Sequence, residues 1–218
     1  MHPPLSPPLS LSVSVVVHDN SPELLQQVLA SLQRSAGFAA AAGYLGQAVV
    51  DVLDNSPDPD QRRRVEEALA RLPSGTGVSV RYTRLPANRG CGAGHNTVLD
   101  GMASDVHLVL NPDAVLEEDA LRAGLARLAA TPDIVLLSPR VLGATGATEY
   151  LCRRYPSVLV LLLRGFAPRA IRRLFRRRLD HYEMRDLCSG EREVDVLLAS
   201  GCFMLVRSAA LRATGGFD

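Results

Sequence analysis

Apolar positions along the chain fall into two alternating patterns: short runs of strand length and longer stretches with helical spacing. The first run, Leu11–Val17, is rich in β-branched residues, as expected of a strand buried on both faces. Further strands are predicted at Ala48–Leu53, Val78–Leu85, Val106–Leu110, Ile134–Leu137, Val194–Leu198 and Phe203–Val206, and helices at Arg62–Leu72 and Glu117–Ala130. Strands that alternate with helices predict an α/β fold with a mostly parallel sheet flanked by helices and one ligand-binding edge.

The first helix is marked by its start signals and by its apolar face. Asn20 and Glu23 have the spacing of a capping box, and Pro22 lies early in the helix, where its missing N–H is tolerated. The apolar face repeats at helical spacing. It is formed by Leu24, Leu25, Val28, Leu29 and Leu32.

Polar residues follow three of the predicted strands at the point where each one ends. They are His18-Asp19-Asn20, Asp54-Asn55-Ser56 and Asn111-Pro112-Asp113. Ligands of open α/β sheets bind beyond the carboxyl ends of the strands, and a carboxylate there can hold a divalent cation that bridges two phosphates. The same residues are also good turn and helix-capping sequences, so both roles stay open on the residues alone. His107 lies within a strand, and we expect it to be a core residue and not a ligand.

A glycine-rich segment, Asn88–Asn96, follows the third strand and is predicted to run into a helix that ends at Met102. Its glycines, at positions 90, 92 and 94, let the backbone approach a ligand, and a helix N-terminus behind them favours an anion. A dinucleotide-binding dehydrogenase has G-x-G-x-x-G after its first strand. Because both the place and the spacing differ, the sequence argues against a nicotinamide-dependent oxidoreductase.

Composition narrows the classes of function further. The 218 residues fit one large domain, and the net charge of +1 gives no global attraction to nucleic acid. Every one of the 24 basic residues is Arg. The cysteines lie far apart and form no C-x-x-C pair, which argues against a disulfide framework or a zinc site and favours a reducing compartment. They are Cys91, Cys152, Cys188 and Cys202.

Neither the N-terminal segment nor the longest apolar run is expected to insert into a membrane. Met1–Ser10 is rich in Pro and Ser and is expected to be a flexible leader, since it lacks the pattern of a signal peptide. Val158–Leu163 is far shorter than the roughly 20 residues that cross a bilayer.

The stretch Arg153–Leu187 differs from the rest in its arginine density. Arginines cluster between Arg164 and Arg178 on a partly amphipathic pattern. Two interpretations remain open: a solvated helical face, or a peripheral contact of Arg164–Arg178 with anionic lipid. Nucleic acid is not expected as a partner, because aromatic residues are few and do not alternate with the basic ones.

The polar blocks together resemble family-2 glycosyltransferases, most closely the rhamnosyltransferase-like bacterial members that build polysaccharides. In order, the blocks are Ser14–Val17 with His18-Asp19-Asn20, Asp54-Asn55-Ser56, Asn88–Asn96, Leu110-Asn111-Pro112-Asp113, Ser200–Met204 and Gly215-Gly216-Phe217-Asp218. The resemblance covers Leu11 to Asp218. It implies a GT-A fold, inversion at the anomeric carbon, a dTDP- or UDP-linked sugar donor, Mg²⁺ or Mn²⁺, and a saccharide or lipid-linked acceptor at the cytoplasmic side of the membrane.

The resemblance also assigns roles to residues. Asp54 would accept hydrogen bonds from a pyrimidine base, and Asn55 would lie beside it; helix capping is the alternative for Asp54. The nucleoside pocket would be lined by His18, Asp19 and Asn20, for which capping is again the alternative. The loop around the nucleotide would include Asn88, Gly90 and Asn96.

The metal and the general base are the remaining implied parts. Asn111 and Asp113 occupy the place of the family's Asp-x-Asp element, and only Asp113 carries a charge, so it would be the metal ligand. The family's general base lies beyond Gly-Gly-Phe-Asp, so we expect it to be absent, with Asp218 and Asp195 as weak substitutes. The implied halves are 11–140 for the donor and 141–218, in part, for the acceptor. A non-catalytic nucleotide-sugar-binding protein is the alternative to an active transferase.

Overall fold

The structure, a computed structural model, describes residues 7–75, 77–189 and 192–218, which alternate between strands and helices. The strands are β1 (Leu9–Val17), β2 (Leu45–Asp54), β3 (Val78–Arg84), β4 (Val106–Leu110), β5 (Leu136–Leu137), β6 (Val141–Leu142), β7 (Thr148–Glu149) and β8 (Phe203–Arg207). The helices are α1 (Pro22–Ala41), α2 (Gln61–Ala70), α3 (Cys91–Asn96), α4 (Ala120–Ala130), α5 (Val158–Phe166), α6 (Arg169–Leu174), α7 (Arg176–Tyr182), α8 (Arg185–Cys188) and α9 (Ser208–Ala213).

Within the described residues, six strands form one sheet in the order β3-β2-β1-β4-β8-β5. The pairs β2–β3, β1–β2 and β1–β4 are parallel, whereas β8 runs antiparallel to both β4 and β5. Val17 lies opposite Asp54, and Asp54 opposite Arg84, so the carboxyl ends of three parallel strands form one edge. The predicted α/β fold with a mostly parallel sheet is confirmed.

The main hydrophobic core lies between one face of the sheet and helices α1 and α4. Alternate residues of the strands, such as Val13 and Leu108, are fully buried and pack with the predicted apolar face of α1. Two serines inside α1 accept hydrogen bonds from backbone N–H groups of the segment before α4 and of its first turn, where N–H groups have no helical partner. Ser31 Oγ accepts from Leu116 N at 2.9 Å, and Ser35 Oγ accepts from Leu121 N at 3.1 Å.

The start of α1 differs from the prediction by one residue. Ser21, and not Asn20, is the N-cap, and its hydroxyl accepts the N–H of Leu24 at 3.3 Å. Asn20 Oδ1 instead accepts the N–H of His18 at 2.7 Å, so its side chain is already used within the turn that precedes the helix. The predicted capping box at Asn20 is therefore wrong.

The chain divides into two compact units, one reaching to Leu137 and including Gly201–Asp218, the other Ser138–Ser200. The second unit holds the β6–β7 hairpin and helices α5–α8. The strand predicted at Val194–Leu198 is wrong: only Leu198 pairs, in an isolated bridge with Arg153. No neighbouring strand extends this bridge among the described residues, so the apolar alternation there has no sheet to join.

The predicted leader is only partly covered by the structure. Residues 1–6 lie outside the described ranges, and Leu9 and Ser10 already belong to β1, where Leu9 N donates to the Tyr44 carbonyl at 3.1 Å. The strand thus begins two residues earlier than predicted. The division into donor and acceptor halves stays a prediction. Over residues 7–75, 77–189 and 192–218, every helix is too short or too polar to cross a bilayer.

Candidate active site

A cavity of about 430 Å³ lies at the carboxyl ends of β1, β2 and β4, beside the start of α3. This is the size of a small-molecule site and the place where open α/β sheets bind ligands. The cavity is lined by Val16, His18, Asn20, Asn55, Asn88, Gly90, Cys91, Asn111, Pro112 and Asp113. Seven of these residues are among the ten predicted for nucleotide-sugar binding. Sheet topology therefore brings together segments that are almost 100 residues apart.

Asn55 connects two walls of the cavity and leaves one atom without a partner. Its Nδ2 donates to the Gly90 carbonyl at 3.0 Å, and its backbone N–H donates to the Val17 carbonyl at 2.8 Å. Its Oδ1 is buried and accepts no hydrogen bond within the described residues. A buried acceptor without a donor costs about 1–3 kcal/mol, so this oxygen favours a ligand that presents an N–H group.

The orientation of His18 is set by the main chain of Asn55. His18 Nδ1 lies 3.1 Å from the Asn55 carbonyl oxygen. Because a carbonyl can only accept, this contact is a hydrogen bond in the tautomer that carries its proton on Nδ1. Asn88 lies next to this ring, and its Oδ1 accepts the N–H of Gly90 at 2.9 Å. The two side chains thus present fixed polar atoms at one side of the cavity.

Asp54 is fully buried and does not line the cavity. Its Oδ2 accepts from the Tyr82 hydroxyl at 2.7 Å, and its Oδ1 accepts from Ser56 N at 2.8 Å. Burial, together with this carboxylate, raises the pKa of Tyr82. Ser56 Oγ in turn accepts from Asp19 N at 2.9 Å, and Asp19 holds a left-handed φ of +52°. In this structure Asp54 stabilises the turn beside the cavity, and its contact with a base stays a prediction.

The glycines after β3 serve packing more than ligand approach. The helix α3 begins at Cys91, so Gly92 and Gly94 lie inside it, and of the three glycines only Gly90 has a left-handed φ, of +90°. A Cβ on Gly94 would lie 2.9 Å from Val16 Cγ2, and one on Gly92 would lie 3.2 Å from Phe217 Cβ. The glycines are therefore needed where α3 meets β1 and the C-terminal segment.

The helix predicted to reach Met102 ends at Asn96, which makes α3 much shorter than expected. Thr97 Oγ1 donates to the Gly94 carbonyl at 2.7 Å, so a side chain takes the acceptor that a continuing helix would use. Asn96, predicted to contact the nucleotide, does not line the cavity. Its side chain is hydrogen-bonded to the main chain of Phe217.

Asn111 and Asp113 lie at the end of β4, on the cavity wall. The N–H of Asn111 donates to the Cys202 carbonyl at 3.0 Å, which fixes the turn against the start of β8. The Asp113 side chain is exposed, and its charge adds to burial in raising the pKa of the Cys202 thiol.

A divalent cation would find a sparse set of protein ligands in this cavity. No cluster of three or more His, Cys, Asp or Glu side chains suited to a metal occurs in the part of the chain that the structure describes. One carboxylate and one amide oxygen, from Asp113 and Asn111, fit Mg²⁺ or Mn²⁺ that takes its other ligands from a diphosphate and water.

The family model for glycosyl transferase family 2 matches residues 12–212. The chain belongs to this family. No curated protein sequence is detectably similar to it. The match covers every block of the cavity, from the end of β1 to the end of β4, together with β8.

Solved structures similar to this family-2 chain share its fold at low sequence identity. The mannosyltransferase PcManGT from Pyrobaculum calidifontis, in complex with GDP-Man and Mn²⁺, has a TM-score of 0.58 and 14% identity over 100% of this chain and 50% of that one. S. aureus TarS 1-349 in complex with UDP-GlcNAc has a TM-score of 0.56 and 18% identity over 94% of this chain and 47% of that one. The family-2 chain thus spans about half the length of these structures.

The two weak candidates for a general base differ in position. Asp218 is exposed, and its carbonyl oxygen lies 3.2 Å from where a Cβ on Gly92 would stand, so the main chain of the last residue passes beside α3. Asp195 is exposed in the second unit. Their roles stay predictions.

Sequence reasoning missed a buried polar network between β1, α3 and β4 of this family-2 chain. Ser14 Oγ lies 2.7 Å from His95 Nδ1 and 2.8 Å from His107 Nε2, and Ser12 Oγ lies 2.7 Å from His107 Nδ1. Burial lowers the pKa of His95 to about 4. Burial, with a contribution from His95, lowers that of His107 to about 3. Both rings are therefore neutral and hold β1, α3 and β4 together.

Three lining residues of the cavity were also missed. Cys91 and Pro112 lie inside the glycine-rich segment and the Asn-Pro-Asp motif. Both could have been predicted from the site residues beside them in the sequence. Val16 is an ordinary strand residue, and only the contact between β1 and α3 places it at the cavity.

Proposed function

We propose that the cavity binds a nucleoside diphosphate sugar and that the chain is part of an inverting glycosyltransferase. The observation that carries the proposal is the buried, unpartnered Oδ1 of Asn55 in the wall of a cavity built from the family's own blocks. The family match supports the reaction class. The comparison structures bound to nucleotide sugars support the class of donor.

Each end of the donor has a complementary part of the cavity. The base would present an N–H to Asn55 Oδ1 and a polar edge to His18 and Asn88. A pyrimidine, as in dTDP or UDP, offers one such N–H between two carbonyl groups. The diphosphate would lie toward Asn111 and Asp113, where a bound Mg²⁺ or Mn²⁺ offsets the charge that builds on the leaving group.

The reaction is a displacement at the anomeric carbon of the donor sugar. The acceptor hydroxyl oxygen forms a bond to this carbon from the face opposite the diphosphate. The bond from the carbon to the diphosphate oxygen breaks, its electron pair leaves with the diphosphate, and the configuration is inverted. A carboxylate takes the hydroxyl proton. Asp218 and Asp195 are the candidates named by the sequence.

The finer substrate assignment rests on the resemblance of the blocks to rhamnosyltransferase-like bacterial enzymes. This resemblance makes rhamnose the first donor sugar to test. The acceptor to test is a growing cell-surface polysaccharide or a lipid-linked saccharide. The cysteines at 91, 152, 188 and 202 form no disulfide with one another, which supports a reducing compartment such as the cytoplasm.

Calorimetric titration tests the donor proposal directly. We expect UDP or dTDP to bind more tightly than GDP, and NAD not to bind. Asn55→Ala should weaken nucleotide binding by about tenfold, the effect of one buried hydrogen bond. Preferred binding of NAD, or an unchanged affinity in Asn55→Ala, would overturn the assignment.

Gln33→Ala is the matched control for that variant. Gln33 is also a buried amide with an unpartnered oxygen and one hydrogen bond to a carbonyl, at Pro73, but it does not line the cavity. We expect it to lower stability without changing nucleotide affinity. Sugar transfer to an acceptor then separates an active transferase from a non-catalytic binding protein.

A further inference from the structure

Helix α5 carries large apolar side chains on its solvent side as well as on its packed side. Val160 and Leu163 are buried, whereas Val158 is 74% exposed and Phe166 is 85% exposed. Leu161 and Leu162 are also exposed. At 100° per residue the exposed side chains lie largely opposite the buried pair. A helix that is apolar all round is normally covered by protein or lipid.

Helix α6 continues this apolar surface and adds positive charge to it. Ile171 and Leu174 are three residues apart, on one side of the helix, and both are exposed, Leu174 by 80%. Arg169, Arg172 and Arg173 are exposed on the same helix. α5 and α6 contact each other within the second unit. Apolar side chains and guanidinium groups therefore share one short segment of chain.

All the charged side chains of this segment are positive. Between Val158 and Leu179 the sequence has seven arginines and no Asp or Glu. Arg176 pairs with Asp180 at 3.2 Å, and Arg164 lies over the ring of Tyr182 at 5.3 Å. The others have no acidic partner in the part of the chain that the structure describes. They are Arg169, Arg172, Arg173, Arg177 and Arg178.

From this combination we infer that α5 and α6 bind the surface of a bilayer that contains anionic phospholipid. The apolar side chains insert at the boundary between head groups and acyl chains, and the arginines bind lipid phosphates. Water alone does not account for seven exposed large apolar side chains on two short helices, the six named above and Leu159. Nucleic acid does not account for aliphatic side chains, because it is bound through phosphate contacts and aromatic stacking.

A second copy of the chain fits this surface less well than lipid does. Two copies joined through α5 and α6 would bring together two segments with seven arginines each and no acidic residue from Val158 to Leu179. Like charges repel at such short range. A bilayer of anionic lipid supplies both complements: its head-group phosphates carry the opposite charge, and its acyl chains form an apolar interior. The residues that carry this inference lie in α5–α7, and none of them lines the proposed nucleotide site.

Vesicle co-sedimentation tests this surface. The protein is mixed with vesicles of phosphatidylcholine, or of phosphatidylcholine with an equal amount of phosphatidylglycerol, at low and high salt. We expect binding only to the anionic vesicles, weaker at high salt because salt screens the charges. Arg172→Gln with Arg173→Gln should weaken it by roughly 25-fold, from about fivefold for each arginine near an anionic surface. Phe166→Ser should weaken it as well.

Matched variants in the first unit test whether vesicle binding depends on α5 and α6 or on any exposed arginine and aromatic side chain. Arg62→Gln with Arg63→Gln removes two exposed arginines from α2, and Phe38→Ser removes an exposed aromatic side chain from α1. We expect both to leave vesicle binding unchanged. All variants change exposed side chains, and unchanged thermal unfolding monitored by circular dichroism shows that they are folded.

Two results overturn the inference. One is equal binding to neutral and anionic vesicles, or no binding to either. The other is a dimer in sedimentation velocity that Phe166→Ser abolishes, which would assign the apolar surface to a second copy. Neither result depends on nucleotide affinity, so this inference and the proposed donor site can fail separately.

Discussion

The side-chain amide of Asn96 pairs with the main chain of Phe217, 121 residues further along the chain. Nδ2 donates to the Phe217 carbonyl at 2.7 Å, and Oδ1 accepts the Phe217 N–H at 2.9 Å. Gly216, with a φ of +91°, lies against the same side chain, and a Cβ there would collide with Asn96. One amide thereby attaches the C-terminal segment to α3, the helix whose first residue, Cys91, lines the cavity.

Asn96→Ala should lower the free energy of unfolding by about 1–3 kcal/mol, because it leaves two backbone groups without partners. Urea denaturation measures this loss. We expect nucleotide affinity to change much less than in Asn55→Ala, since Asn96 does not line the cavity. A variant with wild-type stability and lost nucleotide binding would support the contact with the nucleotide that the sequence predicts for Asn96.

Asp113→Ala should remove most of the effect of Mn²⁺ on nucleotide binding, by roughly tenfold or more, because Asp113 offers the only charge of the motif. Asn111→Ala should reduce the same effect only slightly. Calorimetry of UDP with and without Mn²⁺ compares the two. Equal losses in both variants, or none in either, would show that Asn-Pro-Asp acts only as a turn.

Gly94→Ala should destabilise the protein by about 1–3 kcal/mol, because the new methyl group overpacks against Val16. Gly37→Ala is the matched control: it is also a helical glycine, but a Cβ there meets nothing within 4 Å. It should raise stability by roughly 0.5–1 kcal/mol through helix propensity. Thermal unfolding monitored by circular dichroism gives both values, and equal shifts would contradict the packing role of Gly94.

Stability should fall as the pH drops from about 6.5 toward 4, since an unfolded histidine binds a proton in that range. His95 and His107, with folded pKa values of about 4 and about 3, do not bind one there. The folded pKa is the lower one, so their contribution is complete above the unfolded pKa and is lost as the pH falls toward the folded pKa. Urea titrations at a series of pH values measure the slope.

His107→Gln tests the assignment of this slope. It removes one of the two buried titrating rings, so the dependence on pH between 6.5 and 4 should become shallower even if the variant is less stable throughout. Carboxyl groups with lowered pKa values, such as Asp105, which accepts from Ser10, act mainly below this range. An unchanged slope in His107→Gln would exclude the buried pair as its cause.

The sheet and the position of the cavity were predictable because they follow from local patterns. Strand-length apolar runs alternate with helical ones, and parallel strands bring their carboxyl ends to one edge, so His18, Asn55 and Asp113 were expected at one site. All three line the cavity.

The exceptions depend on contacts between residues far apart in the sequence. Asp54 is buried because Tyr82 on the neighbouring strand takes one of its oxygens, and Asn96 is turned toward Phe217. The glycines at 92 and 94 were expected to let the backbone approach a ligand, but their close neighbours are Val16 and Phe217. No local pattern shows which partner a polar side chain will meet across the fold.

The short strand β5 and the strand β8 are neighbours in the sheet, with Leu137 opposite Leu205, although the whole second unit lies between them in the chain. The chain therefore leaves the sheet for the second unit and returns to it at two neighbouring strands. Because the entropy of closing a loop rises by only about 0.6 kcal/mol for each doubling of its length, such an insert can lengthen, shrink or be exchanged at small cost. The second unit can therefore change in length or sequence while the parallel strands and the cavity at their carboxyl ends stay the same.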